Sequence, residues 1–255
     1  MDKFAIVSSL EDIASKSIAS QIKELGIPKW ANFYEFKEDS IFLPLDKVEE
    51  DKLIVVSQHA SKAGKKSFTA HSIGNYSKAE FGGIENQIVP SLARIQTNYI
   101  RTFNQFKEKG NFDDFDVCYE ATHHGPFTNK QVVFIELGST KKEWKNLDYA
   151  RVVAETVIDY TLEKNEDTIV IGLGGGHYVP DFTKLALRKN YSFGHICPQY
   201  NLKNLDENLL EQMISKTKAE EIVIDWKGLK QEKEKIVSLC EKSGLEFERV
   251  QRLLK

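Results

Sequence analysis

Short apolar runs alternate along the chain with longer amphipathic stretches, and this alternation restricts the fold more than any other feature of the sequence. The runs at 3–8, 53–57, 117–121, 132–137, 169–173 and 193–197 have the length of strands, and they end beside Ser, Thr, Gly, His or Pro. Between them, Ile88, Leu92, Ile95, Tyr99, Phe103 and Phe106 recur every three or four residues, which predicts a helix with one buried face. A second helix is predicted over 141–163, with Trp144, Leu147, Val153, Val157 and Ile158 inward and Thr140 and Glu143 spaced as a capping box. Near the start, Ser9 is placed to cap a helix over 10–25 that stops at Gly26 and Pro28. Toward the end, a helix over 205–215, a strand over 221–225 and a helix over 230–243 repeat the scheme. Strands alternating with helices imply a mostly parallel sheet covered on both faces. The expected fold is α/β: a three-layer α/β/α sandwich around a mixed, mostly parallel sheet.

Nothing interrupts this pattern as a repeat, a low-complexity tract or a Pro/Gly/Ser-rich linker would, so a single domain over 1–255 is expected. With 41% hydrophobic content, 255 residues suffice for one sizeable core. No stretch approaches the roughly 18 apolar residues of a membrane span, and no basic leader precedes an apolar run, so a soluble cytoplasmic protein without a membrane partner is expected. A monomer is the expected state. Cys118, Cys197 and Cys240 are odd in number and lack Cys-x-x-Cys spacing, which suggests reduced thiols rather than a disulfide frame. The net charge of -3 offers no global attraction for nucleic acid. Lys62, Lys65 and Lys66 nevertheless form a local basic cluster that fits an RNA end, although such a run also reads as a solvated loop.

Chemistry concentrates in four segments that hold all six histidines: His59 and His71 in the first, His123 and His124 in the second, His177 in the third and His195 in the fourth. Each lies at a predicted strand end, and the carboxyl ends of parallel strands form one rim where ligands bind. Imidazoles and carboxylates grouped on such a rim are a ligand set for zinc, with Glu120, His123, Glu136, His177 and His195 as candidates. No His-Glu-x-x-His motif is present, so the spacing also admits a metal-free site. Gly172, Gly174, Gly175 and Gly176 follow a buried strand, where backbone approaches something closely. His177 and Pro180 exclude a dinucleotide-binding fingerprint, leaving an amide nest for a phosphate or oxyanion, or a tight strand-to-helix turn. Nucleophilic serine chemistry lacks its Gly-x-Ser-x-Gly elbow, and Cys197 reads as a small buried residue.

Six motifs then occur in order: Ser-x-His-x-Ser-x-Ala-Gly at 57–64, His-x-x-Gly-Asn at 71–75, Glu-Ala-Thr-His-His-Gly-Pro at 120–126, Glu-x-Gly-Ser-Thr-x-x-x-Trp at 136–144, Gly-Gly-Gly-His-Tyr-x-Pro-x-Phe-Thr at 174–183 and Gly-His-x-x-Pro-x-Tyr at 194–200. Together they resemble the D-aminoacyl-tRNA deacylases of archaea and plants. The resemblance implies a phosphorylase/hydrolase-like α/β/α sandwich, Zn2+ as cofactor, the acceptor end of D-aminoacyl-tRNA as partner, and recycling of tRNA mischarged with D-amino acids. In that reading a zinc-activated water attacks the ester carbonyl, and His59 or His124, with Glu120, moves protons. His123, His177, His195 and Glu136 hold the metal. Gly174, Gly175 and Gly176 stabilise an oxyanion or a phosphate, while Lys62, Lys65 and Lys66 meet the acceptor stem. A metal-dependent amidase or carboxypeptidase acting on small molecules, and an RNA-end binder without catalysis, are the competing readings.

Overall fold

The first apolar run forms β1 (Phe4–Ser9), buried along its whole length. The chain returns through α1 (Ile13–Leu25), which starts later than Ser9 would have it start. Asp12 caps this helix by accepting from the Ser15 amide, while Ser9 Oγ accepts from the Glu11 and Asp12 amides and shapes the turn. Then come β2 (Ala31–Phe36), β3 (Lys52–Ala60), β4 (Ser67–His71), β5 (Asp116–Tyr119) and β6 (Gln131–Ser139). With β1 they form a six-stranded sheet of order β2-β1-β3-β6-β4-β5. Its pairings are parallel except β4 with β6. A computed structural model describes residues 3–61, 63–110, 112–159 and 166–255.

A second sheet holds β7 (Thr168–Leu173), β8 (Tyr191–Cys197), β9 (Glu221–Ile224) and β10 (Glu246–Arg249), in the order β10-β9-β7-β8 and all parallel. The mixed, mostly parallel character expected from sequence is therefore present, distributed over two sheets. Alternation along these strands decides what covers each face. Val170, Phe193 and Val223 turn toward a core shared with α2 (Ala93–Glu108) and α5 (Pro180–Arg188). Ile171, Leu173, Ile222 and Ile224 turn the other way, onto α6 (Glu207–Thr217) and α7 (Lys233–Ser243), so helices lie on both sides. A short α8 (Val250–Leu253) packs against α5.

Helix α2 touches both sheets, through β4 and β8. Its Phe103 stacks on Phe68 of β4 at 4.9 Å, and Phe68 stacks on Phe115 at 4.4 Å. The periodic stretch from Ile88 enters α2 only at Ala93, because Pro90 disfavours helix before it and Ser91 bridges to Val132 in extended form. The single helix expected over 141–163 is two: α3 (Lys141–Trp144), started by the Thr140/Glu143 capping box, and α4 (Leu147–Ile158), restarted by Asn146. Residues 160–163 of that expectation lie outside the described residues.

Candidate active site

Three strands of the larger sheet bring the first groups together. Ser57 and His59 project from the end of β3, and register places Ser57 opposite Glu136 and His59 opposite Gly138 of β6. Because β4 runs antiparallel to β6, its last residue, His71, falls opposite Phe134, and its imidazole reaches Glu136. The chain beyond β5 supplies Glu120, which bridges to Tyr178 from the loop after β7. His123, bridged to Ile73, and His124 follow three and four residues later, His124 in the left-handed region at φ 48°, a conformation that a non-glycine residue holds only when its surroundings impose it.

Two buried carboxylates organise these rings. Glu120 Oε1 lies 2.9 Å from His59 Nδ1, and Glu120 Oε2 lies 2.7 Å from His177 Nε2 and 3.7 Å from His123 Nε2. Glu136 approaches His59 Nδ1 and His71 Nε2, each at 3.5 Å, and accepts a short hydrogen bond from Ser57 Oγ. His59 Nε2 meets Tyr178 Oη at 2.6 Å. Gly138 leaves room for this packing, since a Cβ there would sit 2.9 Å from the His59 ring and 2.2 Å from Ser67 Oγ. Trp144 Nε1 donates to the His59 carbonyl at 3.1 Å and fixes the backbone of β3 at this level.

Charge follows from this arrangement. Burial alone would raise both carboxyls, but His177 and His59 hold Glu120 well below the usual carboxylate range, and His59 and His71 do the same for Glu136. Burial would strip His59 of its proton, yet Glu120 and Glu136 reverse that and hold the imidazole up to about 11. His71 is likewise raised against its burial by Glu136. His123 and His124 go the opposite way: desolvation and the positive His71 beside them push His123 well below the imidazole range and His124 down to about 4.

The neutral pair is set up to bind a cation. His123 Nδ1 lies 2.8 Å from the Ala121 carbonyl, His124 Nδ1 2.5 Å from the Gly125 carbonyl and His71 Nδ1 3.2 Å from the Ser72 carbonyl. A carbonyl oxygen accepts only from N–H, so each ring is protonated on Nδ1; Nε2 is left over on the neutral His123 and His124, whereas on the positive His71 it faces Glu136. Ligand atoms of His71, His123 and His124 lie within 4.8 Å of one another, as do those of His59, Glu120 and His177, and of His71, Glu120 and Glu136. The buried His71 Nε2 has no well-directed hydrogen-bond partner, and the buried Glu120 oxygens meet only imidazole nitrogens. Buried polar atoms of this kind normally have partners, and a metal ion is the partner this donor set fits.

The same constellation can be placed among known proteins. A sequence profile for D-aminoacyl-tRNA deacylase matches residues 47–248. The chain belongs to the D-aminoacyl-tRNA deacylase family. A D-aminoacyl-tRNA deacylase of Methanocaldococcus jannaschii is 37% identical, covering 97% of this chain and all of its own length. Another from Picrophilus torridus is 35% identical, covering 88% of this chain and 90% of its own. A crystal structure of a conserved protein of unknown function superposes with a TM-score of 0.91 at 29% identity, covering 99% of this chain and 97% of that one.

For this member of the family, the structure gathers His59, Glu120, His123, His124, Glu136 and His177 into one cluster. His195 does not join it. Its Nε2 donates to the Val89 carbonyl at 2.8 Å and its Nδ1 lies 3.1 Å from Thr122 Oγ1, so both nitrogens have protein partners. The glycine loop also differs from an open nest: the Gly174 amide donates to the Cys197 carbonyl, and a Cβ on Gly174 would meet the Asp225 carbonyl at 2.9 Å. What approaches closely there is the turn at 225–228 of the protein itself. Lys66 pairs with Asp114 at 2.6 Å and Tyr149 Oη at 3.3 Å, whereas Lys65 stays exposed with Asp116 at 3.6 Å. Lys62 lies outside the described residues. Sequence reasoning left out His71, Tyr178 and Ser57 as site residues, although each stands inside a recognised motif; what it lacked was the antiparallel entry of β4 and the Glu120–Tyr178 bridge.

Proposed function

We propose that this chain hydrolyses the ester of D-aminoacyl-tRNA, releasing free D-amino acid and tRNA. The observation that carries the reading is the graded exposure of one His/Glu cluster: Glu120 is fully buried, while the side chains of His123 and His177 are 28% and 34% exposed at its mouth. A charge-rich floor beneath open imidazoles suits an ester delivered on the end of a macromolecule. Family membership supports this substrate over the small molecules of an amidase or carboxypeptidase.

We assign His71, His123 and His124 as the residues that would hold zinc, on the strength of their Nδ1–carbonyl anchors; His71, cationic beside Glu136, would give up its Nε2 proton to do so. Zinc bound there would polarise the ester carbonyl and make water more acidic. The remaining residues have their own tasks. Glu120 accepts from His177 Nε2, which leaves His177 Nδ1, with only Tyr200 Oη at 3.5 Å, as the base that takes a proton from the attacking water. His59, cationic between two carboxylates, donates through Nε2 to Tyr178 Oη. The Tyr178 hydroxyl proton is thereby directed away from His59, toward the oxygen on which negative charge develops. His59 is then a positioning cation rather than a proton acceptor.

The test is deacylation of matched D-Tyr-tRNA and L-Tyr-tRNA by the purified protein, before and after chelation and with zinc restored. Loss of the D ester alone, abolished by chelator and recovered with zinc, is the expected result. Activity indifferent to chelation would remove the metal assignment, and no D-selective turnover under any metal condition would overturn the deacylase reading.

A further inference from the structure

A cavity of about 550 Å3 is lined in part by Tyr178, whose hydroxyl meets His59 of the cluster at 2.6 Å. That volume falls inside the roughly 300–1,000 Å3 of small-ligand pockets. Its apolar walls are Ala63, Val117, Cys118, Pro180 and Leu187, and Tyr178 joins it to the His/Glu cluster through its contact with His59. Val117 and Cys118 belong to β5, the edge of the larger sheet, and Pro180 and Leu187 to α5, so the trough lies where no further strand covers the sheet.

Three cations, Lys65, Lys107 and Lys184, line this apolar trough against one carboxylate, Asp116. None is tightly neutralised. Lys65 stands 3.6 Å from Asp116 and Lys184 3.7 Å from Asp181, both pairs at the surface, where such contacts exchange readily. Lys107 donates to the Phe115 carbonyl, which leaves its charge uncompensated by that contact. An apolar slot with an aromatic wall and a cationic border is the chemistry that holds a nucleobase and its phosphate. A D-amino acid side chain is a poorer occupant, because the lysines would repel the α-ammonium attached to it.

We propose that this cavity seats the 3′-terminal nucleotide of the substrate RNA, its base against Tyr178 and the β5–α5 wall and its phosphate among Lys65, Lys107 and Lys184. The assignment rests on the ester-hydrolase reading above and extends it. An ester on the terminal ribose then emerges past Tyr178 toward His177, and the RNA body continues outward over the lysines. The protein would thus read the end of a single strand by stacking and charge, independently of which amino acid is attached.

The experiment uses the full chain with two probes: a 5′-fluorescent RNA trinucleotide CCA, followed by anisotropy, and D-Tyr-tRNA, followed by steady-state kinetics. Lys184→Glu at an exposed position of α5 and Leu187→Glu at a half-buried one that packs against the core each place a charge in the cavity, the fold of the second being checked by circular dichroism. Lys16→Glu at an exposed position of α1 is the charge-matched control. The expected result is a loss of CCA affinity of roughly tenfold in each cavity variant, with a matching rise in KM, a largely retained kcat and no change in the control. CCA affinity and KM that match wild type in both cavity variants would overturn the proposal, as would a changed amino-acid preference with unchanged CCA affinity. Wild-type protein that binds CCA through the cavity but fails to hydrolyse D-Tyr-tRNA would instead overturn the deacylase reading and keep the cavity assignment.

Discussion

Asp12 performs two tasks with one buried carboxylate. Oδ1 caps α1 through the Ser15 amide, while Oδ2 accepts from the Gln58 amide beside His59 and from Ser40 Oγ. Burial pushes this carboxyl up to about 6 from 3.8, against the pull of those hydrogen bonds. A carboxyl whose folded value is raised is protonated more readily folded than unfolded, so stability falls as pH rises from 3.8 through about 6 and then levels. Moving the carboxyl from 3.8 to about 6 corresponds to roughly 3 kcal/mol across that window. Asp12→Asn removes the titration and also the Gln58 contact, which is a constant offset. Urea unfolding at pH 4 and pH 7 should therefore show the variant gaining on wild type by roughly 3 kcal/mol between the two; parallel curves would refute it. Such residues were illegible in the sequence, where Asp12 is one acidic residue among many. The histidines were legible as a group because they cluster in motifs. Which nitrogen each ring spends on backbone was not, because that depends on side-chain direction.

At the scale of elements, the sequence reading located strands that are apolar along their length and missed those that are not. β2 is Ala-Asn-Phe-Tyr-Glu-Phe on a half-exposed edge, β10 is Glu-Phe-Glu-Arg on another, and β4 is Ser-Phe-Thr-Ala-His. All three place polar residues at high frequency, and pairing with neighbours rather than composition makes them strands. β4 matters most, since its antiparallel run delivers His71 to Glu136. The division of the 141–163 helix was missed for a related reason: Trp144 and Leu147 keep helical spacing across the break. Asn146 makes the break by accepting from the Tyr149 amide, and Trp144, at the end of α3 before the break, donates to the His59 carbonyl. Asn146→Ala should lower unfolding free energy by about 1 kcal/mol, the ordinary value of a cap. The Trp144 bond lies on the other side of the break, in α3, so deacylation by the folded variant should stay within about twofold of wild type. A loss of activity without a loss of stability would show that the break serves the site rather than the helix.

Across the whole molecule, two sheets share one buried core, and the site lies along the seam between them. His59, His71 and Glu136 come from strands of the larger sheet; His177 and Tyr178 come from the loop after β7 of the smaller one. Holding such a site requires cross-links between the sheets, and His195 is one. From β8 it donates to the Val89 carbonyl, packed under the larger sheet, and receives Thr122 at the base of the loop carrying His123 and His124. Burial holds this imidazole down to about 3, so it is neutral, with Nε2–H as donor and Nδ1 as acceptor. His195→Ala leaves the Val89 carbonyl and the Thr122 hydroxyl short of partners and opens a cavity, for a loss of roughly 2–4 kcal/mol. A base whose folded value is depressed gives stability above its ordinary 6.5 that is lost as pH falls toward about 3, so the gap between wild type and variant should narrow in that window. Bound zinc per folded molecule should be unchanged in His195→Ala and reduced in His123→Ala, measured by elemental analysis after gel filtration. The reverse pattern, full stability with metal lost at position 195, would make His195 a ligand and require the small sheet to move against the large one to bring it within reach.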